Sequence, residues 1–307
     1  MNGISILIPT YNDSCYQLAY DLWLQAGQLS IPFELLVGDD GSTNRSVVAE
    51  NRRINSLSGC RYIERPENQG RAAVRNFLAS EARYDSLVFV DAGRGVVRKD
   101  FLAKYVRLMS SESAFFYGGY EMELHSRSNL RSVYEDARAP QHTAQQRSQH
   151  PYLDFNTCNF ACPTVLFRSY PLDERFRHYG FEDVLYGKRL QTAGILIRHV
   201  DNPVALVGFD SNEHFVTKWE EALTTLCQFR NELRGYSRML SLVDNLKRFH
   251  LLPFVRLWHR AFGFMERRQL LGTHPSLFVF ELYRLGYFAI KLKETETSVA
   301  VGRGRAE

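Results

Sequence analysis

No uninterrupted apolar run in these 307 residues is long enough to cross a bilayer, so nothing in the chain reads as a membrane-spanning helix. The amino terminus has no basic segment ahead of an apolar one. Its apolar run is short and stops at Pro9, which is the pattern of a strand and not of a signal peptide. No G-x-G-x-x-G follows that strand, which argues against a dinucleotide-binding Rossmann enzyme or a nucleotidyltransferase. Cysteine is sparse. Cys15, Cys60, Cys158, Cys162 and Cys227 are scattered and odd in number, as expected of reduced, buried thiols rather than a disulfide framework. Cys158 and Cys162 are four apart, but no second pair or histidine completes a zinc site. Excess charge is missing too: the net +4 is spread rather than striped, so nucleic acid is not an expected partner. The expected location is the cytoplasm or the inner face of the membrane.

What is present is an α/β chain, longer than one average domain and apolar enough for a substantial core. Ile4 to Ile8 and Glu34 to Gly38 are β-branched and aliphatic runs. The first closes with Pro9-Thr10-Tyr11-Asn12, the second with Asp39-Asp40-Gly41-Ser42-Thr43. Ligands of open parallel sheets bind outside the carboxyl ends of the strands. A tyrosine on one such loop suits stacking on a base, and an aspartate on the next suits accepting a base N–H. The competing reading of Asp39-Asp40 is an Asx turn ahead of a helix.

Helices are expected over 14–28, 45–56 (with Thr43 or Asn44 as cap), 70–82 and 182–192, and strands over 61–64, 87–90 and 195–200. This alternation predicts a doubly wound, mostly parallel sheet. Residues 114–124 and 155–167 also read as strands. The polar stretch 133–148 reads as a mobile loop or fraying helix. From Asn212 onward Phe215, Trp219, Leu223, Leu226, Phe229 and Leu233 recur at helical spacing, and that stripe reads as helix-packing core.

ISILIPTYN, LLVGDDGSTNRS, NQGRAAVRN, VFVDAG and YGFEDVLYGKRL stand in the order and spacing of family 2 glycosyltransferases, which this chain resembles over nearly its whole length. NPVALVGFDSNEHF and LFVFELYRLGYF resemble a bacterial, glycan-assembling branch of that family. The resemblance implies the GT-A fold and inverting transfer of a sugar from a nucleotide-diphosphate sugar, with a UDP-sugar favoured. The implied acceptor is a glycan or lipid-linked glycan. On this reading residues 1–210 form the GT-A domain, divided into a nucleotide-binding half, 1–100, and an acceptor half, 101–210. Residues 211–295 form a helical extension, and 296–307 a disordered tail. The sequence sets no oligomeric state.

The resemblance also implies roles for residues. Pro9, Thr10, Tyr11, Asp39, Asp40, Arg71 and Asp91 would bind the nucleotide sugar, with Asp40 reading the base. Asp183 would be the catalytic base and Glu182 a contact to sugar or acceptor. A buried carboxylate with a charged neighbour has the raised pKa that a general base needs, although the positive end of a helix opposes the rise. Against that stands the plain reading of two first-turn acids favoured by the helix dipole. The family's Asp-x-Asp motif, which would hold Mg²⁺ or Mn²⁺, reads Asp91-Ala92-Gly93 here and so lacks its second carboxylate. The histidine expected before Gly208 is also absent. His214 could join Asp91 at a metal, although a lone histidine at a helix start is more often a cap. Alternatively Arg71, Arg94, Arg98 and Lys188 could offset the diphosphate charge. Asn156, Cys158, Asn159 and His178 are further candidates for facing ligand, with a satisfied buried amide the rival reading of Asn159. A catalytically silent nucleotide-sugar binder in a glycan-assembly complex is the alternative function.

Residues 242–271 interleave Phe249, Phe254, Leu257 and Trp258 with Lys247, Arg248, Arg256, Arg260, Arg267 and Arg268. Two readings stand. Either the apolar side chains pack on the first domain while the arginines stay solvated, or the segment docks on an anionic membrane surface.

Overall fold

A computed structural model describes residues 2–303, with side chains described through residue 297. The chain opens with β1 (Ile4–Thr10), α1 (Tyr16–Ala26), β2 (Phe33–Asp39), α2 (Arg45–Asn51), β3 (Cys60–Glu64) and α3 (Arg71–Glu81). It continues through β4 (Ser86–Val90), β5 (Arg94–Val96), α4 (Phe101–Ser111), β6 (Phe115–Tyr117), β7 (Tyr120–Met122), α5 (Leu130–Arg138) and α6 (Ala144–Arg147). Next come β8 (Asn159–Pro163), α7 (Thr164–Ser169), α8 (Glu182–Thr192), β9 (Ile197–His199) and β10 (Val204–Leu206). Four helices close it: α9 (Asn212–Gln228), α10 (Arg238–Arg248), α11 (Leu252–Leu270) and α12 (Leu277–Arg303). Helix α12 thus enters the stretch expected to be a disordered tail, whose last residues, 304–307, lie outside the described ones.

Two compact units result: residues 1–123, 139–177 and 182–207, and residues 124–138, 178–181 and 208–307. The first contains a seven-stranded sheet in the order β3-β2-β1-β4-β8-β6-β9 and a small sheet β5-β10-β7. β3, β2, β1 and β4 run parallel, whereas β8 is antiparallel to both β4 and β6. All seven residues of β1 and all five of β4 are buried, as a parallel sheet covered on both faces requires. Apolar layers form on either side, one around Ile6, Leu22 and Phe101, the other around Leu7, Leu78 and Phe160. Strand order reverses direction from β1, with β2 on one side and β4 on the other. The loops after these three strands therefore gather at one sheet edge, where a ligand crevice is expected.

Several local expectations change. The strand expected over 114–124 divides at Gly118-Gly119 into β6 and β7, which belong to different sheets. Gly119 has φ +83°, and a Cβ there would meet the Arg147 guanidinium at 2.6 Å. The stretch 133–148 is held rather than loose. Thr143 caps α6, and buried Arg147 donates to the carbonyls of Gly118 and Val200. The strand expected over 155–167 is only β8, because the chain turns at Pro163 into α7. The helix expected over 45–56 is α2 capped by Asn44, followed by a 3-10 turn.

In the second unit α5, α9, α11 and α12 share a core of Leu130, Phe215, Val216, Leu270, Phe280 and Tyr283. Trp219 packs on it beneath the Arg284 guanidinium, as expected of a core stripe. The helical region 242–271 breaks at Phe249-His250-Leu251, where His250 takes φ +56°. Within this unit Leu252 and Leu270 are buried, whereas Phe249, Phe254 and Leu257 are each at least 66 % exposed.

Candidate active site

The site starts from two loops tied together by one asparagine. Asn12, at φ +56°, accepts the N–H groups of Thr43 and Asn44 (2.9 and 2.8 Å), and its own N–H donates to the Ser42 hydroxyl. The carboxyl ends of β1 and β2 are joined in this way, which motif reading of Pro9-to-Tyr11 alone did not anticipate. Pro9 lies in β1 opposite Gly38, Thr10 ends the strand, buried with its hydroxyl on the Asp13 carbonyl, and Tyr11 stands exposed.

Asp39 and Asp40 divide their work. Asp39 accepts the Ser42 N–H at 2.8 Å and the Tyr62 hydroxyl, so it is the member of the pair that makes the turn. Asp40 reaches across to the next loop. It accepts the Gln69 N–H at 3.2 Å, the Gly70 N–H at 2.8 Å and the Arg65 guanidinium. Those amides immediately precede α3, so Asp40 fixes the entry to that helix from another element, near the positive helix end that favours a carboxylate. Gly70 takes φ +98°, and a Cβ there would meet the Arg177 backbone at 3.0 Å. Arg65 is a site residue that the sequence did not single out.

Helix α3 carries two arginines into the site, Arg71 and Arg75, four apart and so on one face of the helix. Arg75, 1 % exposed, donates to Asp91 at 2.5 Å and to the Arg71 carbonyl at 2.9 Å, while its Nε has no partner. Arg71 bridges two carboxylates, donating to Asp91 at 3.3 Å and to Glu182 at 3.2 Å. Burial alone would raise the Asp91 carboxyl, but Arg75, Arg71 and Arg94 outweigh it and hold the group below the usual carboxylate range. Arg94 stacks on Tyr120 with one terminal nitrogen buried and unpartnered. The Arg75 signal was legible: an arginine amid the small apolar residues of NQGRAAVRN falls on a helix face that must be buried.

Helix α8 supplies the remaining acids. Glu182 is buried at its first residue. Asp183 accepts the Asn156 amide at 2.7 Å and the Val184 N–H at 2.8 Å. Burial, and then the charge of Glu182, push the Asp183 carboxyl up to about 7; the Val184 N–H, Arg71 and Arg75 oppose this without prevailing. The result is two carboxylates of opposite character on either side of Arg71: Asp91 stays ionised, whereas Asp183 takes up a proton near neutral pH.

Other expected residues lie elsewhere or act structurally. Arg98 pairs with Asp100 at 3.1 Å, and Lys188 stands on α8. Asn159 is a satisfied buried amide that accepts from Tyr105 and donates to the carbonyls of Gly119 and Asn202. Cys158 is buried, with its thiol raised to about 11, and all five cysteines are free and buried. His178 and His214 belong to the second unit, beside Glu221 and Asp210 respectively.

A divalent cation fits these residues poorly. Both Asp91 oxygens already accept guanidinium groups, Gly93 supplies no ligand, and no group of three or more His, Cys, Asp or Glu among the described residues could hold a metal ion.

Similar proteins bear on the same residues. Two solved structures share the fold across most of their length. One is the mannosyltransferase PcManGT from Pyrobaculum calidifontis in complex with GDP-Man and Mn²⁺, at 15% identity, TM-score 0.56 and coverage of 94% of this chain and 86% of that one. The other is S. aureus TarS 1-349 in complex with UDP, at 15% identity, TM-score 0.50 and coverage of 96% and 91%. They place the chain in the GT-A fold, with helices in its carboxyl-terminal region. An uncharacterized glycosyltransferase of Haemophilus influenzae is 34% identical over 106 residues, 34% of this chain and 42% of its own length. The chondroitin synthase of Escherichia coli is 25% identical over 239 residues, 67% of this chain and 34% of that protein. The chain thus spans well under half the length of the curated relatives it matches. The model of glycosyl transferase family 2 matches residues 5–176, which include the loops after β1 and β2, α3 and Asp91. With more than half of the chain matched, and with the fold that this family adopts, the protein belongs to glycosyl transferase family 2.

Proposed function

We propose that this protein is an inverting glycosyltransferase that takes a sugar from a nucleotide-diphosphate sugar, with a UDP-sugar favoured, and delivers it to a glycan or lipid-linked glycan. The observation that carries the reading is the Asp183 carboxyl. It is raised to about 7 and held by Asn156, while Arg71 ties the adjacent Glu182 to Asp91. In the transfer the acceptor hydroxyl oxygen attacks the anomeric carbon as the bond to the departing diphosphate breaks, and Asp183 takes the hydroxyl proton. A pKa near the working pH suits that exchange. Residues 1–210 carry this chemistry, and 211–295 form a helical extension.

The nucleotide enters at the loops after β1 and β2, with Tyr11 exposed for stacking. The carboxylate of Asp40 is already engaged, which supports a role in shaping the pocket through Arg65 and the Gln69 and Gly70 amides as much as direct reading of the base. Arg71, Arg75 and Arg94 supply the positive charge against the departing diphosphate, since guanidinium groups match phosphate oxygens and the ligands for a cation are incomplete. The PcManGT complex contains Mn²⁺; the residues here support an arginine-dominated site.

A panel of UDP-, GDP- and other nucleotide sugars, with and without Mn²⁺, tests the reading by thermal shift and by nucleotide release. Nucleotide release dependent on Asp183 is the expected result. Binding without release on any acceptor tried would favour the silent nucleotide-sugar binder, the reading that Gly93 encourages.

A further inference from the structure

Helix α11 is amphipathic in the inverted sense. The face it turns to the rest of its unit carries His259, Gly263 and Glu266 between Leu252 and Leu270. His259 is held by Glu266 at 3.1 Å and stacks near Tyr283 of α12, and the helices close on each other through glycine: a Cβ on Gly286 would meet His259 at 2.5 Å. The opposite face is apolar and open. Phe254, Leu257, Phe264 and Met265 are 64% to 79% exposed, Trp258 is half exposed, and Phe249 extends the patch at the turn before the helix. At 100° per residue, positions 254, 257, 258, 261, 264 and 265 fall within one arc of less than half the circumference. Soluble helices bury such an arc, and a contiguous apolar patch left open marks an interaction surface.

The basic residues select the occupant. Arg260 flanks the arc on one side and lines a shallow groove with Arg256 of the same helix and Lys293 of α12; the one acid of that groove, Glu294, is paired with Lys291 at 2.9 Å. Arg268 stands inside the arc at its carboxyl-terminal end, and Arg248 is exposed at the end of the preceding helix. The acid of this helix, Glu266, is turned inward and already holds Trp258 Nε1 and His259. An apolar face with Phe, Trp and Leu, bordered by cations and with no outward acid on its own helix, is complementary to an anionic bilayer surface. A second copy of the chain fits less well, because an isologous contact over this arc would bury the Arg268 guanidinium among apolar side chains with no outward acid of the helix to pair it. No helix among the described residues is long and apolar enough to cross a membrane, so a helix bound here would lie in the headgroup layer.

We infer that the open face of α11 is a membrane-docking surface. Its aromatic and aliphatic side chains enter the boundary between headgroups and acyl chains, and Arg248, Arg260, Arg268 and Lys293 meet headgroup phosphates. The chemistry is independent of the transfer reaction, so the two readings fail separately.

The test is flotation of the full chain with phosphatidylcholine vesicles and with phosphatidylcholine vesicles containing phosphatidylglycerol, followed by Trp emission. The expected result is binding to the anionic vesicles alone, weakened by salt, with a blue shift that disappears in Trp258→Phe. The triple variant Phe254→Ser, Leu257→Ser, Met265→Ser should lower vesicle partitioning at least about tenfold without changing the thermal midpoint, since these side chains are exposed. Arg260→Glu with Arg268→Glu should remove the preference for anionic lipid while leaving the apolar face intact. Absence of binding to either vesicle type overturns the inference. So does a dimer, seen by light scattering, that the triple variant dissociates, because the face would then belong to a second copy.

Discussion

Replacing Asp183 by asparagine should make the protein both inactive and more stable at alkaline pH, and the structure sets the size of each effect. Carrying a carboxyl from its ordinary value near 3.8 to about 7 corresponds to about 4 kcal/mol at ~1.36 kcal/mol per pH unit. The sign follows from proton counting. Between these two values the folded protein holds a proton that the unfolded chain has released. This contribution is therefore complete below pH 3.8, declines as pH rises towards 7, and is gone above it. Above pH 7 the wild type bears the whole cost of an ionised, buried Asp183 beside Glu182. Asparagine removes that cost but turns an N–H₂ towards the Asn156 amide that now donates at 2.7 Å, a loss of about 1 to 2 kcal/mol. A net gain on the order of 2 kcal/mol is expected at pH 8, shrinking or reversing near pH 5. Urea unfolding of both proteins at the two pH values measures it. Turnover should meanwhile fall by about a hundredfold or more, and wild-type kcat/KM should rise with pH to a plateau above about 7. A pH-independent stability difference, together with a flat activity profile, would refute the assignment of Asp183 as a buried base.

Arg75→Gln should cost about 2 to 3 kcal/mol in urea unfolding, because it removes the nearest partner of a buried carboxylate and leaves Asp91 to Arg71 and the charge of Arg94. Chelator should leave nucleotide release largely intact, whereas activity abolished by EDTA and restored by Mn²⁺ would show that Asp91 exchanges its arginines for a cation. Gly93→Asp places a carboxylate where its Cβ stands 4.0 Å from Asp13, and should tighten Mn²⁺ binding in calorimetry. Gly187→Ala drives a methyl to 2.1 Å from the Tyr152 carbonyl oxygen in the helix that carries Glu182 and Asp183; a destabilisation of about 1 to 3 kcal/mol, read by thermal unfolding, is expected.

Much of the first unit was legible because its information is local. β-branched runs, helical periodicity and the acids and glycines that end strands located β1, β2, β4, α3 and α8, and they put Tyr11, Asp40 and Asp91 on loops at one edge of a parallel sheet. Pattern also suggested that Glu182 and Asp183 open a helix. It could not show which groups meet. Arg71 joins Asp91 and Glu182, the latter 111 residues away, and Asp40 is spent on the Gln69 and Gly70 amides ahead of α3; both depend on how elements pack, which no window of sequence contains. The division of 114–124 into strands of two sheets followed from Gly119 lying against Arg147, a contact made across the fold. Helix α11 is the sharpest case. Its periodicity defined an apolar face, but periodicity is the same whether that face is covered or open. Only the approach of α12 to the opposite side, through Gly286 against His259, decided that the apolar side chains remain outside.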